Sequence, residues 1–126
     1  MSKFNILLVD DDQINRILIK AMLAHYPNLI ASIIEAENGQ KALEIIETNP
    51  NINLILLDIF MPIMDGKEFL KLFRSKKKYS NIPVIVLTTD DSKKSEILNL
   101  GADNILIKPI KEEELIKSIK YWQIES

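Results

Sequence analysis

Cysteine is absent from the 126 residues, and histidine and tryptophan occur once each. The missing thiols exclude disulfides, thiolate metal centres and a cysteine nucleophile, and they suit a reducing compartment. Glycine is scarce, with three residues, none in a loop that would cradle a nucleotide phosphate. No apolar run approaches the length of a bilayer span. The start, "MSKFNILLVDDDQ", holds one lysine and a short apolar run ending in three aspartates. It lacks the long apolar stretch and small-residue cleavage site of a signal peptide. A cytoplasmic protein without membrane contact is expected. An excess of one charge is lacking too. Sixteen basic residues face 18 acidic ones, for a net charge of −2, which provides no broad surface for direct nucleic-acid binding.

Hydrophobic residues make up 47% of the chain, enough for a sizeable core in one domain over residues 1–126. Short apolar runs alternate with helical patterns. "FNILLVD" reads as a buried strand. From Gln13 to about His25 the spacing predicts a helix with Ile14, Ile17, Leu18, Met22 and Leu23 on its core face, ended by Pro27. "ASIIEA" is a second strand. Asn38-Gly39 makes a turn, and Ala42, Leu43, Ile45 and Ile46 share a face of a second helix that stops before Pro50. "INLILL" is apolar at nearly every position, as in strands buried on both sides of a parallel sheet. A helix from about Gly66 to Lys77 offers Phe69, Leu70, Leu72 and Phe73 to the core. "PVIVLT", a helix from Ser92 to Leu100 closed by Gly101, and "NILI" follow. The last helix, about Lys111 to Trp122, has Glu112, Glu113 and Glu114 in its first turn, which complements the helix dipole. Five βα units in series imply an α/β fold: a doubly wound, five-stranded parallel sheet with helices on both faces, flavodoxin-like.

Ligands of such folds bind outside the carboxyl ends of the strands. Those ends carry Asp10, Asp11 and Asp12, then Asp58, then Thr88 and Thr89, then Lys108-Pro109. Two carboxylates at about 4 Å repel by roughly 4 kcal/mol at an effective dielectric of 20. A hard divalent cation removes that cost, and Mg²⁺ prefers such oxygen ligands while keeping several waters. Asp10, Asp11 and Asp58 therefore read as a magnesium site open on one side, with Lys108 as a further positive charge and Thr88 as a hydroxyl donor. That set suits a phosphoryl group. With no cysteine, and His25 placed away from the acidic edge, the acceptor is a carboxylate. Asp58 is central and reads as the nucleophile. Asp12 suits a helix N-cap instead. Thr88 or Lys108 alone would be uninformative; their weight comes from co-occurrence. "RSKKKYS", 74–80, reads as a solvated helix end, and Trp122 as a packing anchor.

The pattern resembles the receiver domains of two-component response regulators, of the chemotaxis-regulator kind. The matching residues are "ILLVDDDQINR" (6–16), "EAENG" (35–39), "LDIFMPIMDG" (57–66), "PVIVLTT" (83–89), "GAD" (101–103) and "KPI" (108–110), in order and across essentially the whole chain. The resemblance implies that Asp58 accepts a phosphoryl group from a phosphohistidine on a separate histidine kinase or phosphotransfer protein. It implies that Asp11 binds Mg²⁺ directly, Asp10 mainly through water, and the Phe60 carbonyl as a further ligand. Thr88 and Lys108 would bind phosphoryl oxygens, and Pro62, Asp65 and Gly66 would shape the loop. Output would be altered binding of a downstream protein on the face of the fourth helix, fifth strand and fifth helix, by a monomer or weak dimer.

Two positions depart from well-studied members. Ile105 stands where an inward-rotating aromatic is common. Phe60, two residues after the acceptor, stands where a side chain commonly lines the phosphoryl entry, with Asp90, two after Thr88, as a charge that would help or repel incoming groups. The reading is of a stand-alone switch, not an enzyme. A magnesium-dependent phosphohydrolase would carry a second acid at the position of Phe60. The alternatives are a binding module on the same fold that is never phosphorylated, or a receiver fragment of a hybrid kinase or larger regulator.

Overall fold

The computed structural model describes residues 3–123; the ends of the expected 1–126 domain lie outside the described residues. Five strands and five helices alternate: β1 Phe4–Val9, α1 Gln13–Leu23, β2 Ile30–Ala36, α2 Gly39–Thr48, β3 Leu54–Asp58, α3 Gly66–Arg74, β4 Val84–Thr88, α4 Lys94–Asn99, β5 Asn104–Ile107 and α5 Glu112–Tyr121. The strands form one sheet in the order β2-β1-β3-β4-β5, every pairing parallel. The flavodoxin-like α/β fold expected from the alternation is the fold observed.

Central strands are apolar because both faces are covered. All five residues of β3 and all five of β4 are buried. On one face Ile19 and Leu23 of α1 and Leu115, Ile116 and Ile119 of α5 pack on Ile6, Leu8, Leu54 and Leu56. On the other, Ala42 and Ile46 of α2, Phe69, Leu70 and Phe73 of α3 and Ile97 of α4 pack on Leu7, Val9, Ile55 and Leu57. Each of the leucine, isoleucine, valine and phenylalanine side chains contributes about 1.5–3 kcal/mol of burial. Strands β1 and β3 are thus fixed up to their last residues, which carries the acids that follow to a defined place. The chain leaves β1 toward β2 on one side and returns to β3 on the other, so the two strands part at a switch point.

Helix starts follow their caps. Asp12 accepts the Ile14 N–H, Asn38 the Lys41 N–H and Asp65 the Glu68 N–H. Gly101 has φ +113°, a conformation suited to glycine at a helix end. Three helix expectations need correction. In α1, Ile14, Ile17 and Leu18 are exposed, and Ile19 and Leu23 are the buried residues. The helix has two overlapping apolar stripes; the second packs in the core with residues of β1, β3 and α5, and in that orientation Arg16 and Lys20 reach Glu35 on β2. The third helix ends at Arg74, with Leu72 exposed, and a separate 3₁₀ turn spans Lys77–Tyr79. The fourth segment is a 3₁₀ turn, Asp91–Lys93, and then six residues of α helix.

Candidate functional site

The carboxyl ends of β1 and β3 bring Asp10, Asp11 and Asp58 together. One carboxylate oxygen from each lies within 4.8 Å of the others. Asp10 and Asp58 are buried, at 2% and 6% exposure, while Asp11 is exposed. From the end of β5, Lys108 donates its Nζ to Asp58 Oδ1 at 3.3 Å and to Asp10 Oδ2 at 3.4 Å. The peptide between Lys108 and Pro109 is cis. Thr88 is buried as the last residue of β4, and its Oγ1 accepts the Asp90 N–H at 3.3 Å. The structure thus brings Asp10, Asp11, Asp58 and Lys108 together, and Thr88 ends the strand next to β3.

Asp10 is held at every polar atom. Its N–H donates to the Ala36 carbonyl at 3.0 Å, and its Oδ1 accepts the Asp12 N–H at 2.9 Å. Its carbonyl accepts from Arg16 Nη1 at 2.6 Å. Sequence spacing assigns Arg16 no role, because its contact with Glu35 forms only once β2 lies beside β1.

Burial above all pushes the Asp58 carboxyl up to about 6; the negative charge of Asp10 adds to the rise, and Lys108 and the Ile59 N–H oppose it. One ammonium is thus insufficient compensation for the acids around it. Three carboxylates and Lys108 leave a net charge of −2, which one divalent cation neutralises. The donors are all hard oxygens, as magnesium prefers.

The loop after β3 is fixed by hydrogen bonds from the Gly66 N–H to the Ile59 carbonyl at 2.8 Å and from the Gly39 N–H to the Met64 carbonyl at 2.9 Å. A Cβ on Gly66 would lie 2.5 Å from the Asp58 carbonyl oxygen, so only glycine permits this approach. Phe60 is half exposed on that loop. The Asp90 carboxylate turns to Ser92, accepting its N–H and hydroxyl at 2.9 and 2.6 Å. Ile105 is buried in the layer under α2, α3 and α4. His25 lies elsewhere, its Nδ1 3.0 Å from Glu112 Oε1.

A parallel sheet with an acidic cluster, a lysine and a threonine at its strand ends is the arrangement of a class of α/β signalling domains. The chain belongs to the response regulator receiver domain family, whose profile matches residues 6–120. A chemotaxis protein CheY homolog of Campylobacter jejuni is 32% identical over 117 residues, covering 91% of this chain and 88% of that protein. A response regulator structure from Chloroflexus aurantiacus superposes with a TM-score of 0.87 at 26% identity, covering 96% of this chain and 98% of that one. The receiver domain of a sensor histidine kinase from Pseudomonas aeruginosa, solved with magnesium in its active site cleft, gives a TM-score of 0.83 at 27% identity, covering 96% and 98%. Receiver domains are signalling modules of two-component systems that interact with histidine kinases and downstream effector domains. Among the described residues no helix is long and apolar enough to cross a membrane.

Proposed function

We propose that Asp58 is the phosphoryl acceptor of a magnesium-dependent switch. The observation that carries this reading is the position of its carboxylate. It is buried at the end of an all-apolar strand, within 4.8 Å of oxygens of Asp10 and Asp11 and 3.3 Å from Lys108. Asp10, Asp11, Asp58 and the Phe60 carbonyl would hold Mg²⁺. Bound there, the ion supplies positive charge to the phosphoryl oxygens. An Asp58 oxygen attacks phosphorus as the P–N bond of the donor phosphohistidine breaks. The ring leaves as neutral imidazole, its other nitrogen carrying the proton. Lys108 stabilises the charge on the equatorial oxygens, and the Thr88 hydroxyl donates to one of them.

The donor reaches Asp58 from the side of α1. The exposed apolar residues Ile14, Ile17 and Leu18 begin two positions after Asp12, and a small cavity of about 140 Å³ joins Leu18 and Met22 to Asp10, Lys108 and Pro109. That continuity between the helix face and the pocket supports a protein donor. Output uses α4, β5 and α5. Helix α4 contributes one buried residue, Ile97, and Leu98, Ile107 and Tyr121 are exposed on those elements. A weakly anchored element with exposed apolar groups suits a face whose binding changes when Thr88 and Lys108 are drawn to a phosphoryl group. Incubation with acetyl phosphate and MgCl₂, followed by intact-mass measurement, tests the chemistry. Wild type gains one phosphoryl group and Asp58→Ala gains none. An unmodified wild type would leave the fold as a binding module.

A further inference from the structure

Resting on the reading of the acidic pocket as a magnesium site, we infer that Arg16 is a positioning residue that sets the Asp10 ligand by tying its main chain to Glu35 of β2. The Arg16 side chain is 15% exposed and uses two arms. Nη1 donates to the Asp10 carbonyl at 2.6 Å, and Nε donates to Glu35 Oε1 at 2.9 Å. Lys20 donates to the second Glu35 oxygen at 2.9 Å, so Glu35 is itself held from two sides. Lys20 first, then Arg16, keeps the Glu35 carboxyl below its usual range.

The arrangement is a chain of supports. Glu35 is fixed in register with Leu8, one residue before the Val9–Ala36 pair. The Asp10 N–H continues that ladder by donating to the Ala36 carbonyl. Arg16 then fixes the other side of the same residue. With both peptide groups of Asp10 tied to β2, the only freedom left to the carboxylate is its own torsions, and the Asp12 N–H and Lys108 take those up. The first turn of α1 and the acidic loop become one unit with the sheet edge. Outer partners that orient a ligand in this way typically govern metal affinity by about 10–100-fold.

The charge of Arg16 acts in the opposite direction. A guanidinium one hydrogen bond from a ligand's main chain repels a divalent cation, so deleting it on electrostatic grounds alone strengthens binding. The two roles therefore predict opposite signs. Magnesium affinity is measured by calorimetry on the full chain, at a temperature where circular dichroism shows each variant folded without metal. Arg16→Met weakens Mg²⁺ binding at least about tenfold, as expected for an outer partner. Arg16→Lys, which keeps the charge and cannot span both acceptors, stays weaker than wild type. Glu35→Gln weakens binding by less than Arg16→Met and provides the same reading should that variant fail to fold. At saturating Mg²⁺ the rate of Asp58 phosphorylation by acetyl phosphate in Arg16→Met returns to the wild-type value.

Equal or tighter Mg²⁺ binding by Arg16→Met, beside a wild type that binds, overturns the inference and leaves the magnesium reading intact. A rate that stays low at saturation also overturns it, because the defect is then general damage to the pocket. A wild type that binds no Mg²⁺ overturns both.

Discussion

Asp58 carries a conflict that its neighbours only partly resolve. Burial raises its carboxyl from the ordinary 3.8 to about 6 even with Lys108 at 3.3 Å. The folded chain therefore holds the proton more tightly than the unfolded one. That contribution to stability is complete below about pH 4 and is lost as pH rises through about 6. Without metal, Asp58→Asn should gain on wild type across this window. The difference should reach about 2–3 kcal/mol at pH 7 and vanish near pH 4. Urea unfolding of both proteins in EDTA at a series of pH values measures it, and a pH-independent difference would contradict the account. On the proposed mechanism Phe60 would act on the product rather than the acceptor: its half-exposed ring, two residues after Asp58, would limit the approach of water to an acyl phosphate. Phe60→Asn should shorten the half-life of phosphorylated protein severalfold, followed by loss of the added mass with time. Equal half-lives would remove Phe60 from the mechanism.

The strands and the helices differ in how far they were readable. Leu54 to Leu57 announce β3 because a strand covered on both faces has no polar alternation to hide it. Helix α1 is ambiguous in sequence because Ile14, Ile17, Leu18, Ile19, Met22 and Leu23 satisfy two helical stripes, and which one is buried depends on packing against residues of β1, β3 and α5. The expected span Ser92–Leu100 exceeds the six-residue α4 because the 3₁₀ turn Asp91–Lys93 covers its first two residues and Leu100 is the helix cap. In the loop after β3, Gly66 is positional: an added Cβ meets the Asp58 carbonyl at 2.5 Å and Ile59 Cα at 2.8 Å, both backbone. Gly66→Ala should cost about 1–3 kcal/mol in chemical unfolding and should slow phosphorylation by displacing the strand end. Full activity and stability together would contradict this. At the opposite end of the sheet Arg74 joins three elements. It donates to the Gly101 and Tyr79 carbonyls, both at 2.9 Å, and to Asp103 Oδ2 at 2.7 Å. Arg74→Met leaves a carboxylate and two carbonyls short of a partner. It should cost about 2–4 kcal/mol by urea unfolding while acetyl phosphate still labels Asp58 at the wild-type rate.

For the molecule as a whole, the order β2-β1-β3-β4-β5 turns residues separated by up to 98 positions into one pocket. The pocket was legible because its members sit at strand ends, where chain order and topology fix position without detailed packing. The supports around it were less so. Nothing in the spacing of Arg16 and Glu35 announces that they hold Asp10, because that contact exists only once β2 lies beside β1. The overall charge of −2 is equally silent about a cluster of three acids around one lysine. The central claim is that this cluster, with magnesium, lets one carboxylate oxygen carry a phosphoryl group. The most direct measurement is reductive trapping. Protein treated with acetyl phosphate is reduced with borohydride, which converts an acyl phosphate to an alcohol, and its peptides are sequenced by mass spectrometry. The account predicts homoserine at position 58, dependent on Mg²⁺ and abolished by EDTA. Homoserine at another acid, or equal labelling with and without Mg²⁺, would contradict it.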